Sequence, residues 1–125
     1  MKSKTFLLVK AAISIVVAAF MLLLPATFGG WFGMQIEPSG LLMARFFGAL
    51  MAGIALICFF ASGATTSELR KNVILSLFVA DTLGFIVALI GQIQGIFNAL
   101  GWTLVALWLV LAFFLGYFYF LKPED

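Results

Sequence analysis

Apolar residues fall along this chain in four long runs, separated by short stretches where glycine, polar and charged residues collect. The runs cover about residues 5–28, 41–62, 73–94 and 103–121, so each holds about 19 to 24 residues. A bilayer core of about 30 Å takes about 20 residues of α-helix, at a rise of about 1.5 Å each. The ten-residue alternating segments of a membrane β-barrel are absent, and a helix satisfies its own backbone in lipid. The pattern predicts an all-α membrane protein, residues 1–125 forming one domain of four transmembrane helices in an up-down bundle.

Composition supports the same solvent. Of 125 residues, 65% are hydrophobic and 10% charged, and mean hydropathy is +1.23. Soluble domains run nearer half apolar and a quarter charged, and a chain this short cannot hide such a surface from water. A net charge of +2 with scattered lysines gives no footprint for nucleic acid. The first run has the basic start of a secretion signal, Lys2 and Lys4. Its apolar length and the poor Pro25-Ala26-Thr27 cleavage site make it a retained span.

Charge sets the expected orientation. Lys2, Lys4 and Lys10 lie at the start, Arg70 and Lys71 between the second and third runs, and Lys122 after the fourth. The other two loops, residues 29–40 and 95–102, carry only Glu37. By the positive-inside rule both termini are cytoplasmic, in a multi-pass protein of the plasma (inner) membrane. Trp31, Phe32 and Trp102 mark the outer boundary, and Tyr117, Tyr119 and Phe120 the inner one. Thr65-Thr66-Ser67-Glu68 fits a capping box, which would start the third helix before it enters lipid.

Helical spacing then sorts the faces. The third run places Asp81, Gly84, Ala88, Gly91, Gln92 and Gly95 on one small and polar stripe, with Phe85, Ile86, Ile90 and Ile93 elsewhere. The second run carries Ala44, Arg45, Gly48, Ala49, Ala52 and Gly53, overlapping small-xxx-small patterns that let helices approach closely. The first offers Ala11, Ser14 and Ala18. The stripes predict helix packing through Gly48, Ala52, Gly53, Gly84, Ala88 and Gly91 around a narrow interior.

Asp81 is the one acid within a run, and no other charge lies within nine residues of it. An intramembrane acid is costly and faces the bundle. In an antiparallel pair turning near Ser67, Arg45 lies about nine residues off its level, roughly 13 Å at 1.5 Å per residue. A direct Asp81–Arg45 bond is therefore disfavoured; Arg45 snorkels outward or meets Gln92 or Asn98. Ser14 lies at a depth similar to Asp81. Two roles compete for the aspartate. As glue, an uncharged Asp81 donates to Ser14, a backbone carbonyl or a partner protein; as a relay, it binds and releases a proton or cation. Glue is the favoured reading.

Motifs for catalysis are missing. There is no histidine, and Cys58 is the only cysteine, which excludes an internal disulfide and reads as packing. No Walker loop, GxGxxG, HExxH or GxSxG occurs. The expectation is no enzyme, no cofactor and no metal. The two hairpins, runs one and two and runs three and four, look alike and suggest an old duplication.

LLMARFFGALMAGIAL in the second run, VADTLGFIVALIGQIQGIFNALGW through the third, and the aromatic-ended fourth resemble small four-span prokaryotic membrane proteins of the loosely DoxX-like kind. The resemblance implies association with membrane redox enzymes as a small subunit, and carries over no catalytic residue. The expected function is a non-catalytic structural or accessory subunit. Its partners would be the bilayer and another membrane protein or copies of itself. The alternative is a small oligomeric transporter or channel in which Asp81 handles protons or cations.

Overall fold

The computed structural model describes residues 2–64 and 66–121. Thr65, where the expected capping box begins, and Lys122, the last expected inner charge, lie outside the described residues. The helices are α1 (Ser3–Leu23), α2 (Pro25–Trp31), α3 (Pro38–Ser62), α4 (Ser67–Ile93) and α5 (Gly101–Gly116), the last running on as a π-helical turn over Tyr117–Leu121. There is no strand among the described residues. Four helices are long and apolar enough to cross a membrane: α1, α3, α4, and α5 with its π extension. The protein is thus an all-helical, multi-pass membrane protein.

The first span ends earlier than residue 28. Leu24 leaves the helical region at φ −136°, ψ 50°, because the ring of Pro25 disfavours helical backbone in the residue before it. Pro25 then starts α2, where its missing N–H costs nothing. Gly29 and Gly30, expected in the loop over residues 29–40, are helical. Aromatic contacts fold this short helix back: the Phe28 and Trp31 rings lie 5.4 and 5.3 Å from Phe20, near the end of α1. Gly33 and Gly95 do make turns, at φ 79° and 78°, a region that costs other residues a steric clash.

Contacts pair the helices into two hairpins. A Cβ on Gly48 would stand 2.8 Å from Met21 Cβ and 3.1 Å from the Leu22 backbone nitrogen, so α3 lies close against the end of α1. In the second hairpin the glycines are sockets for rings. Gly84 faces the Trp108 indole, and Gly116 faces Phe78, whose ring a Cβ would approach to 2.8 Å. The expected narrow interior of small residues is therefore, in this hairpin, glycine against aromatic.

The hairpins share a core at the end that holds the start of α1, the end of α3 and the start of α4. Leu7, Cys58 and Leu115 are fully enclosed there, with Phe6, Ile74 and Phe118 around them. The outward surface is mostly apolar: Leu50, Phe60, Val87, Ile93 and Phe113 are all well exposed. Such a coat is a liability in water and the normal surface of a protein in lipid.

Candidate functional site

Lys10 is not a boundary charge. It sits two turns inside α1, is only 2% exposed, and its Nζ donates to Asp81 Oδ2 at 2.8 Å. Asp81 lies in the middle of α4 and is 3% exposed. The acid has a cation as partner, rather than the serine or carbonyl expected of an uncharged glue residue. Lys10 belongs to the stripe of Ser14 and Ala18, each four residues on, and all three are buried. The helix period thus aims the lysine at α4, and its long stem lets the ammonium reach the carboxylate through apolar surroundings.

The geometry suits an ion pair in a low dielectric. Separating either charge from water is costly, and short contact with the opposite charge offsets that cost. Ser14 Oγ, one turn beyond Lys10, is also buried, and it has no hydrogen-bond partner among the described residues. The interior polar group is therefore Lys10, Asp81 and Ser14, on two helices from different hairpins.

Arg45 is placed elsewhere, as the depth argument expects. It is exposed on α3, and its Nε donates to the Leu22 carbonyl at 3.4 Å, next to the helix interruption at Leu24. Gln92 is half-buried at the opposite end of the bundle from the shared core. Its Nε2 donates to the Asn98 carbonyl at 3.2 Å, while Oε1 is buried, has no hydrogen-bond partner among the described residues and lies against Gly101.

Of the small residues, Gly48, Ala88 and Gly91 are buried, and Gly84 and Ala52 half-buried. Gly53 is the correction. It is exposed, and a Cβ there would meet nothing within 4 Å. The buried stripe of α3 runs through Gly48, Met51, Ala55 and Cys58, which turns position 53 outward.

Sequence reasoning missed the roles of two polar residues. Asn98 joins the hairpins at the loop end: its backbone N–H donates to Phe32 O at 2.8 Å and its Nδ2 to Trp31 O at 3.2 Å. Arg70 caps the other end, its Nη2 donating to Ala64 O at 2.8 Å, just past α3, and its Nε to Ala61 O at 3.4 Å, in the last turn of α3. The signal for Arg70 was its basic group beside a helix C-terminus, where orphan carbonyls collect. With this geometry in view, comparison with protein-family models, curated proteins and solved structures finds no match to the chain.

Proposed function

We propose that this integral membrane protein is a non-catalytic structural or accessory subunit, assembling through its lipid-facing helices with a larger membrane complex or with its own copies. Both termini are placed in the cytoplasm and the membrane is the plasma (inner) membrane, on the one-sided distribution of Lys2, Lys4, Arg70 and Lys71. The likeness of the sequence to DoxX-like proteins adds that the complex is a redox one.

The observation that carries the reading is the closure of the Lys10–Asp81 pair. Its side chains are 3% and 4% exposed and in direct contact, which suits a fastener between hairpins better than a group exchanging ions with water. The test is purification in mild detergent from the native membrane, followed by reconstitution in liposomes. A stoichiometric complex or homo-oligomer, with ion flux no greater than in empty liposomes, is the expected result.

One observation favours a second reading, a small oligomeric transporter or channel that moves protons or cations at Asp81. Ser14 Oγ is a buried hydroxyl without a partner among the described residues, one turn from Lys10, and polar groups so placed line ion paths. Flux in liposomes that Asp81→Asn abolishes would select this reading over the first.

A further inference from the structure

A groove of about 550 Å³ runs along the outside of the second hairpin, between α4 and the α5–π helix. Its floor is made by short side chains, Thr82, Ala112 and Gly116. Its walls are rings and branched chains, among them Phe85, Phe113 and Phe120. The recess opens where short side chains on both helices stand beside aromatic ones. It lies apart from the Lys10–Asp81 site and backs onto the core shared by the hairpins through Phe78.

Length and position narrow the occupant. On the α5 side the groove extends from Leu109 to Leu121, about 18 Å at 1.5 Å per residue. It therefore starts at the end of the bundle holding the start of α4 and stops near mid-span. That is the depth of one leaflet, about 15 Å of a hydrocarbon core of about 30 Å. A helix of a second copy would cross both leaflets and would call for a groove twice as long. One acyl chain, entering from one side of the membrane, matches the length.

An apolar groove in lipid gains little from being apolar, because the competing solvent is apolar too. Selectivity has to come from the polar end. Lys71 stands nearby, outside the lining itself: its Nζ is 5.7 Å from the centroid of the Tyr119 ring, and Tyr119 is the chain neighbour of Phe120, which lines the groove. It also lies seven residues, two turns, before Phe78 on the same face of α4. A cation at headgroup level above an acyl-chain slot is a match for a phosphodiester.

We infer that this groove is a binding site for an anionic phospholipid, with one acyl chain between α4 and α5 and the headgroup phosphate on Lys71. The site faces the leaflet on the side of the α3–α4 loop.

The test uses the full chain reconstituted in vesicles containing a trace of phosphatidylglycerol or phosphatidylcholine with a diazirine in one acyl chain. Crosslinks are mapped by mass spectrometry. With phosphatidylglycerol they should concentrate on residues 78–85 and 109–121, several-fold above exposed positions such as Leu50 and Phe60. Lys71→Gln, on a half-buried surface position, should lower the preference for phosphatidylglycerol about fivefold, the worth of one basic residue at a membrane surface. Thr82→Phe, which fills the floor, should remove the groove crosslinks with either lipid. Crosslinks spread evenly over all exposed faces, or the same with both lipids and unmoved by Lys71→Gln, would overturn the site. So would chain-to-chain crosslinks across the groove, which would make a second copy its occupant. Should Thr82→Phe fail to fold, the Lys71→Gln comparison and the wild-type map still decide.

Discussion

Lys10 and Asp81 stand 71 residues apart in the chain and 2.8 Å apart in the fold, one on each hairpin. Elsewhere the hairpins meet through apolar side chains and Arg70 at one end and through Asn98 at the other. The pair is thus the polar link at mid-depth, and it fixes the rotation of α1 about its axis relative to α4. Apolar packing alone specifies that rotation weakly in lipid, because a rotated helix finds lipid as good a neighbour as leucine.

Breaking this pair from one side should cost more than deleting it. Asp81→Asn or Lys10→Met leaves an uncompensated buried charge or its orphaned partner, worth about 3–5 kcal/mol. The double variant Lys10→Met with Asp81→Leu should recover most of that loss, since well-packed apolar groups often replace buried ion pairs without penalty. Arg45→Gln should rescue neither single variant, since Arg45 is turned to Leu22. Thermal melts of the purified protein in one detergent measure all four. Equal melting of the wild type and both singles would mean that the pair contributes nothing to stability.

Much of this was legible in the sequence. Run length and hydropathy gave the four spans, because lipid demands about 20 apolar residues whatever the side chains do. Periodicity gave the faces of α4, where Asp81, Ala88 and Gly91 are buried together. The partner of Asp81 is legible too: Lys10 reads as a boundary charge by its place beside Lys2 and Lys4, yet Val9 and Ala11 flank it inside the apolar run and Ser14 and Ala18 continue its stripe. Other features were out of reach. Periodicity shows that Gly84 faces inward but not that Trp108 fills it, and it cannot tell that aromatic contacts with Phe20 make a helix of a glycine-rich turn.

Glycine sockets and outward glycines should separate cleanly. Gly84→Ala puts a methyl group into the Trp108 ring, and Gly48→Ala puts one against the backbone of Leu22; overpacking of this kind costs about 1–3 kcal/mol. Gly53→Ala meets nothing and removes a flexible residue from the middle of a helix, so its melting temperature should hold or rise slightly. A loss at position 53 equal to that at 84 would point to a neighbour from another chain.

The loop clasp should weaken by a smaller amount. Asn98→Ala removes the Nδ2 bond to Trp31 O and the acceptor for Leu100 N–H at 3.0 Å, but keeps the backbone bond to Phe32 O. At about 1 kcal/mol per hydrogen bond the expected loss is about 1–2 kcal/mol. Hydrogen exchange should show faster opening of residues 30–36 and 94–100 with the shared core unchanged. Unchanged protection of both loops would mean that backbone and aromatic contacts suffice there.

Topology is tested by labelling from outside. Ser39 and Ser67 are both exposed, the first at the start of α3 and the second at the start of α4. In a Cys58→Ala background, Ser39→Cys should react with a membrane-impermeant maleimide in intact cells, while Ser67→Cys should react only after the cells are opened. The charge argument survives the loss of Lys10 to the interior. Lys2, Lys4, Arg70 and Lys71 still lie on one side, with Glu37 alone on the loops opposite, and the rule counts charges close to the ends of spans. Labelling at position 67 in intact cells would reverse the orientation. It would also move the acyl-chain groove, and with it Lys71, to the external leaflet.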